Sequence, residues 1–167
     1  MFKVGDLIIY STHGVCKIDD ICEKSFKDVT RNYYILHPLD DPNLTISVPV
    51  DNDQVIMLDI MEKKEARNIL KSFEEPGIEW IDDAKARNKK YNSIINSGDR
   101  DKIIKIANTL MRKQKEAELN KERMYDQDTK MLEHIQRIMF QELAASLETT
   151  VEQIVDRINS MIPAKVS

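Results

Sequence analysis

The chain has too little of several residue types to form the common catalytic and cofactor sites. Its 167 residues include only four glycines and two cysteines, and they form no Gly-rich phosphate loop. Cys16 and Cys22 fit no metal-ligand spacing. The three histidines are scattered, and none has an acid or a nucleophile at the sequence spacing of a known catalytic motif. We therefore expect no enzyme activity, no metal and no cofactor.

Long apolar runs are also absent. No segment approaches the roughly 18 apolar residues that a membrane-spanning helix needs. The opening "MFKVGDLIIY" lacks a basic leader and a small-residue cleavage site. With 41% hydrophobic and 32% charged residues, the composition is typical of a globular protein. We expect a cytoplasmic protein without a membrane partner.

Charge is distributed unevenly along the chain. Residues 1–60 hold five basic and ten acidic side chains, a net charge of −5. Residues 85–115 hold ten basic and two acidic side chains, a net charge of +8. A change of sign within one chain suggests two modules with different partners. A basic segment of this kind can attract phosphates even though the whole chain has a net charge of −4.

The first 60 residues have the pattern of short β-strands. Four segments rich in β-branched and aromatic residues are separated by turn signals at 11–14, 26–32 and 39–43; they are "DLIIY", "GVCKIDDIC", "NYYILHP" and "LTISVPV". Four or five short strands favour a small twisted barrel, in which an open edge could pair with a partner strand. Cys16 and Cys22, six residues apart on one strand, are expected on the same face as buried thiols.

From residue 61 onward the period is helical, so we predict an α+β protein with domains at 1–60 and 61–167. Five helices are predicted, at about 60–73, 78–96, 100–120, 129–147 and from Thr149. Gly98 is expected to end the second helix and Asp99 to cap the third. Thr149 and Glu152 have capping-box spacing at the start of the last helix.

The opening "FKVGDLIIYSTHGVCKI" resembles the start of the CarD family of bacterial transcription regulators. The matching features are the K-V-G-D stretch, the aliphatic pair with Tyr10, and the turn at His13 and Gly14. "LTISVPV" and the "SGD" at 97–99 also match. The resemblance covers essentially the whole chain. The opening motif is shared with transcription-repair coupling factors, whose motor motifs are absent from this sequence.

The resemblance implies a Tudor-like or SH3-like N-terminal barrel that binds the β subunit of RNA polymerase by lengthening a sheet. In this sequence the residues implied for that contact are Lys24, Thr45 and Ser47. Ser47 occupies a position where other members often carry a basic residue, so one charged contact of the family is missing here. Family members are mostly monomers, and a monomer is expected.

The resemblance further implies that the helical domain contacts promoter DNA at the upstream edge of the transcription bubble and modulates the open complex, usually by stabilising it. A tryptophan would act as a wedge at the minor groove, and basic residues would hold the backbone. The residues implied are Trp80, Lys85, Arg87, Lys89 and Lys90. Arg87 and Lys90 are preferred for phosphate contact because they flank the predicted helix face of Trp80.

The position of the tryptophan departs from the family pattern. The family spacing places the wedge 13 residues before Ser97, where this chain has Ala84. Trp80 lies one predicted helical turn earlier. It could therefore be a core or interdomain anchor instead of a wedge. In that alternative the protein is a polymerase-binding adaptor whose helical domain recruits another protein. A small enzyme with a site between the domains is a third alternative, but the convergent acids or Cys–His pair that it needs are not evident.

Overall fold

The computed structural model describes residues 1–10, 13–55 and 57–163. The chain forms two compact units, Met1–Met61 and Glu62–Ser167. The first contains β-strands and the second contains helices, so the predicted α+β class is confirmed.

The first unit is an antiparallel five-stranded sheet with the order β4-β3-β2-β1-β5. Its strands are β1 Leu7–Tyr10, β2 Gly14–Phe26, β3 Val29–Pro38, β4 Ile46–Pro49 and β5 Met57–Asp59. The four segments predicted from sequence correspond to β1–β4. β5 is the possible fifth strand, which the sequence pattern did not locate. A buried cluster lies against the sheet, formed by Ile8, Cys16, Ile18, Tyr34, Leu36 and Val48.

β2 and β3 form a longer hairpin than the turn signals predicted. Their pairing continues to Phe26 opposite Val29, so only Lys27 and Asp28 make the turn. Both residues have positive φ, 49° and 62°, which is the backbone of a two-residue type I′ hairpin turn. The predicted turn over 26–32 is therefore wrong for most of its length, because Val29 and Thr30 are β-branched and extend the strand.

A bulge in β2 separates the two cysteines. The register shifts between Ile18 and Asp20, and one additional residue reverses the face on which every later side chain lies. Cys16 is fully buried, whereas Cys22 is only partly buried. The expectation that both thiols share one buried face is therefore wrong.

The second unit contains the helices α1 Lys63–Lys71, α2 Ala84–Ser97, α3 Arg100–Leu119, α4 Asp126–Ile135, α5 Gln141–Ser146 and α6 Val151–Met161. A π-helical turn, Gln136–Phe140, joins α4 to α5, so the two form one helical stretch and the predicted number of about five is confirmed. A 3₁₀ turn, Ser72–Glu74, follows α1. None of the helices in the described residues is both long and apolar enough to traverse a membrane.

The helix boundaries follow the caps. Gly98 takes the left-handed conformation with φ of 75°, and the Asp99 carboxylate accepts from the Lys102 N–H; both were predicted. The last helix is capped by Thr150, whose hydroxyl accepts from the Gln153 N–H, and not by the predicted Thr149. The fourth helix begins at Asp126, three residues before the predicted start.

The start of α2 differs most from the prediction. The helix begins at Ala84, capped by the Asp83 side chain, which accepts from the Ala86 N–H at 2.8 Å. The sequence pattern had placed its start near Ile78. Trp80 therefore precedes the helix and does not share a helix face with Ala84, which removes the argument for a tryptophan displaced by one turn.

Candidate functional site

The nine residues before α2, 75–83, are irregular but tightly held; we call them the clamped segment. Its first part is bound by side chains of α3. The Asn108 amide donates to the Glu75 carbonyl at 2.7 Å, and the Thr109 hydroxyl donates to the Ile78 carbonyl at 2.7 Å. Asn108 and Thr109 are buried. The segment therefore takes its hydrogen bonds from the helix beneath it, which satisfies carbonyls that helix formation would otherwise satisfy.

The approach of the clamped segment to α3 depends on Gly77. A Cβ atom at this position would overlap the Thr109 hydroxyl and lie 2.5 Å from the Lys105 carbonyl oxygen and 2.8 Å from the Thr109 nitrogen. Two of these obstacles are backbone atoms, which cannot rotate away. Glycine is thus needed here for space.

The second part of the clamped segment is bound by side chains of α2. The Tyr91 hydroxyl donates to the Glu79 carbonyl at 2.7 Å. Arg87 Nη1 donates to the carbonyls of Ile81 at 2.8 Å and Asp82 at 3.3 Å. Arg87 and Tyr91 are one helical turn apart and both are buried, so they form the inner face of α2.

Arg87 is held by a buried ion pair. Its Nη2 and Nε donate to the two carboxylate oxygens of Asp128 at 2.6 and 3.1 Å, and both side chains are 3% exposed. The hydrogen bond to Asp128 raises the pKa of Arg87 above its ordinary value, although desolvation opposes the shift. A guanidinium buried in this way is not available to a phosphate. The structure thus disagrees with the expectation that Arg87 contacts DNA.

Trp80 is partly buried and lies beside two cations. Arg87 Cζ is 4.1 Å and Lys113 Nζ 4.8 Å from the ring centroid, within the range of cation–π contacts. The ring lines a groove of about 280 Å³ together with Tyr125. The charged lining residues are Arg87, Lys113, Arg123, Asp82, Glu116, Glu122 and Asp128. With four acids against three bases, this groove is not electropositive.

Two of the three lysines of α2 lie on the side away from its buried face. Lys85, Lys89 and Lys90 are exposed, and none of them forms a salt bridge or side-chain hydrogen bond within the part of the chain that the structure describes. At roughly 100° per residue, Lys85 and Lys89 lie on the side of α2 opposite Arg87 and Tyr91, and Lys90 lies about 60° around the helix from Arg87. We call Lys85, Lys89 and Lys90 the lysine face.

Much of the remaining positive charge of residues 85–115 stabilises the helical unit. Arg100 pairs with buried Glu142 at 2.8 Å. Arg112 Nη2 donates to the Phe73 carbonyl at 2.8 Å. Lys115 donates to the Asn159 carbonyl, near the end of α6, also at 2.8 Å. These roles have no local signal in the sequence, because Glu142, Phe73 and Asn159 lie 42, 39 and 44 residues from the cations that they accept from.

In the sheet, the three implied polymerase-binding residues lie close to β4, which ends the strand order. Thr45 is exposed immediately before β4, and exposed Ser47 pairs in register with Ile35 of β3. Lys24 Nζ donates to the Ser47 hydroxyl at 3.1 Å. The edge of β4 away from β3 pairs with no strand among the described residues. Pro49 within β4 is typical of an edge strand.

The tip of the β2–β3 hairpin carries a feature that the sequence reading missed. Phe26 and Val29 are cross-strand neighbours and are 70% and 56% exposed. Lys27 Nζ lies 5.6 Å from the Phe26 ring centroid. Two exposed apolar side chains thus form a small apolar patch at the end of the hairpin. The signal in the sequence was the apolar pair on either side of a two-residue turn.

No described part of the chain forms a metal site, since nowhere in it do three His, Cys, Asp or Glu side chains converge suitably. Cys16 is also a poor nucleophile, because burial, with a smaller contribution from Asp40, raises the pKa of its thiol to about 11.

Comparison with known proteins agrees with this architecture. Residues 2–60 match the model of the CarD-like/TRCF RID domain, and residues 68–159 match that of the CarD C-terminal domain. The chain is 28% identical over 159 residues to a Bacillus subtilis (strain 168) protein named "Putative transcription factor YdeB", covering 92% of this chain and 97% of the relative.

The fold and these matches define a transcription regulator with an RNA polymerase-interacting domain. The chain belongs to the CarD family.

Proposed function

We propose that the protein binds the β subunit of RNA polymerase through its sheet and contacts promoter DNA at the upstream edge of the transcription bubble through its helical unit. The consequence is a change in the lifetime of the open complex, usually an increase. The observation that carries the DNA part is the lysine face, three exposed cations without partners among the described residues. We expect the protein to act as a monomer.

The polymerase contact is proposed at β4 and the hairpin tip. An edge strand offers unpaired backbone N–H and C=O groups, so a partner strand can extend the sheet. Lys24, Thr45 and Ser47 would flank that added strand. Phe26 at the hairpin tip would add apolar contact, which backbone pairing alone does not supply.

The DNA contact is proposed for Lys85, Lys89 and Lys90. Lysines neutralise phosphates without reading base sequence, so the contact would be nonspecific and dependent on salt. Three such contacts are weak for a free protein. Attachment to polymerase raises the local concentration of the helical unit at the promoter and makes them effective.

Trp80 is proposed as the wedge, presented by the clamped segment. Its ring is partly exposed, and the cations of Arg87 and Lys113 lie within contact distance of it. An apolar wedge costs a few kcal/mol of base unstacking, which an already opened junction has partly supplied. A rigid mount favours this role because little entropy is lost when the ring is positioned.

The experiment is the lifetime of the open complex on one promoter with the matching polymerase, after a competitor is added. Wild type is compared with Trp80→Ala, and with Tyr125→Ala as a control aromatic from the same groove. Polymerase affinity and thermal unfolding are measured for each variant. The wedge is supported if Trp80→Ala, but not Tyr125→Ala, loses the effect on open-complex lifetime while its polymerase affinity and thermal unfolding stay those of wild type. Equal behaviour of wild type and Trp80→Ala refutes it.

One observation favours the adaptor as a second candidate. The groove beside Trp80 contains more acids than bases, which suits a protein partner better than a phosphate backbone. In this case the full-length protein would show no salt-dependent affinity for a duplex or for a fork-junction oligonucleotide, and the lysine face would have no effect on open-complex lifetime.

A further inference from the structure

A second groove of about 450 Å³ lies in the helical unit, away from Trp80. Its apolar side chains are Leu70, Leu147 and Met161, and its charged ones are Arg67, Lys71, Glu74 and Arg157. Arg67 and Lys71 are one turn apart on α1, while Arg157 and Met161 are one turn apart on α6. We call it the α1–α6 groove.

The two unpartnered arginines of the helical unit both lie on this groove. The unit contains seven arginines. Those that have a side-chain or backbone acceptor are Arg87, Arg100, Arg112, Arg123 and Arg137. Arg67 and Arg157 are exposed, and neither has a partner among the described residues. Lys71, on the same groove, also has none.

An arginine without a partner is a ready donor for a carboxylate. The guanidinium binds a carboxylate through two parallel hydrogen bonds, and such charge-assisted pairs are stronger than neutral ones. Arg67 and Lys71 are about 6 Å apart along α1, which is the rise over four helical residues. Carboxylates at positions i and i+4 of a second helix have the same spacing.

The groove fits a peptide better than a nucleic acid. Its apolar part has no counterpart on a phosphate backbone, and Glu74 on the rim repels phosphates. A peptide can bury apolar side chains against Leu70, Leu147 and Met161 while its carboxylates face the three cations. Met161 adds an adaptable surface, because an unbranched thioether side chain fits partners of different shape.

We infer that the α1–α6 groove binds an acidic amphipathic helix of a partner protein. The apolar stripe of that helix lies on Leu70, Leu147 and Met161, and its glutamates or aspartates pair with Arg67, Lys71 and Arg157. This is the helix-in-groove mode of recognition. The proposal does not depend on DNA contact by the lysine face, because it concerns different residues on different helices.

The test uses a defined probe and the full-length protein. The probe is a fluorescein-labelled helical peptide of about 18 residues, long enough for five helical turns, with leucine at i, i+3, i+4 and i+7 and glutamates on both flanks. A matched peptide has glutamine at every glutamate. Binding is followed by fluorescence anisotropy for wild type, for Arg67→Gln/Arg157→Gln and for the control Lys121→Gln/Lys130→Gln, which removes the same charge from exposed lysines that do not line the groove.

We expect the acidic peptide to bind wild type and the lysine control alike, and the arginine variant at least tenfold more weakly. The glutamine peptide should bind all three proteins equally weakly. Far-ultraviolet circular dichroism shows that each variant remains folded. Met161→Asp tests the apolar part of the groove separately. It should also weaken binding of the acidic peptide, although both arginines remain in place.

Three results would overturn the proposal. The first is no binding of the acidic peptide at about 1 mM, a concentration that detects even weak complexes. The second is equal binding by the arginine variant and the lysine control. The third is loss of duplex DNA binding in the arginine variant while peptide binding persists, which would make the groove a nucleic-acid contact. The variant Lys85→Gln/Lys89→Gln/Lys90→Gln should bind the peptide normally, which separates this proposal from the proposed function.

Discussion

Arg87 shows that a basic side chain in a basic segment need not contact a partner. Lysines lie two residues before it and two and three residues after it, and its sequence position favours the surface. Its guanidinium is nevertheless buried, with Asp128 and two carbonyls of the clamped segment as acceptors. Together these acceptors take four hydrogen bonds from Arg87; the five N–H donors of arginine are enough for them, whereas lysine has only three. We therefore regard Arg87 as the residue that positions the clamped segment and, with it, Trp80.

Removal of the charge of Asp128 should release Trp80. Asp128→Asn leaves Arg87 buried without a counter-ion, which costs about 3–5 kcal/mol for a buried pair. Because Trp80 is the only tryptophan, its fluorescence reports on this site alone. We expect lower stability in urea, a red-shifted emission and stronger quenching by acrylamide.

The matched control is Asp126→Asn, two residues away. Asp126 pairs with Arg123 at 3.2 Å, and both are largely exposed, so the change should cost less than about 1 kcal/mol and leave the fluorescence of Trp80 unchanged. Equal effects of the two variants would contradict the positioning role of Arg87.

At the scale of the element, the clamped segment explains why α2 starts late. Pro76 and Gly77 interrupt the helical pattern, and side chains of α2 and α3 then bind the carbonyls of the next residues. These bonds compete with the helical ones for the same acceptors. The sequence pattern extended the helix to about Ile78, because Trp80 has the spacing of one helix face with Ala84 and Tyr91.

Gly77→Ala should displace the clamped segment. The new Cβ would overlap atoms of α3, and overpacking of this kind typically costs about 1–3 kcal/mol. We expect a lower midpoint in urea and a changed emission spectrum of Trp80. Adding Thr109→Ala should not restore either property, because the Lys105 carbonyl and the Thr109 nitrogen still obstruct the Cβ. Full rescue by the second change would show that only the hydroxyl matters.

The lysine face makes a prediction about salt. If Lys85, Lys89 and Lys90 neutralise phosphates, Lys85→Gln/Lys89→Gln/Lys90→Gln should make the negative slope of log affinity against log salt shallower by about 2–3. The measurement is binding to a fork-junction oligonucleotide over a range of salt concentrations.

The control for this measurement is Lys64→Gln/Lys121→Gln/Lys130→Gln, which changes net charge equally at exposed positions elsewhere on the unit. A loss of slope that is the same in both variants would point to overall charge instead of a specific face.

At the scale of the whole molecule, two units in one chain allow the polymerase to bring a weak DNA contact to its target. The sheet has the unpaired edge and the exposed hairpin tip, and the helical unit has the lysine face. Neither surface needs high affinity for its own partner if both act together. Once one unit is bound, the other is held at a high effective concentration beside its own partner.

Weakening the polymerase contact should therefore raise the protein concentration that is needed for the effect and leave the maximal change in open-complex lifetime unaltered. With Lys24→Glu/Phe26→Ser, the concentration that gives a half-maximal change in open-complex lifetime should rise at least tenfold, while saturating protein still gives the full effect. The lysine-face variant should lower the plateau at unchanged polymerase affinity. If both variants change only the protein concentration needed for a half-maximal effect, the helical unit has no DNA role of its own.

Local sequence was enough to predict much of this protein. Alternating and helical periods located four of the five strands and all the helices, since side-chain burial on a strand or helix repeats every few residues. Gly98 and Asp99 predicted the turn between α2 and α3, because a left-handed residue and a capping carboxylate are local requirements. The opening motif predicted the family, and the family matches confirm it.

Long-range contacts decided the rest. The bulge that separates the faces of Cys16 and Cys22 arises in the pairing of β2 with β3. Arg87 is buried because Asp128 lies 41 residues further along the chain, and Arg67 and Arg157 line one groove because α1 and α6 both border it. A carboxylate or a carbonyl can satisfy a cation from any position in the sequence. Only the folded arrangement therefore separates the cations that hold the protein together from those left for a partner.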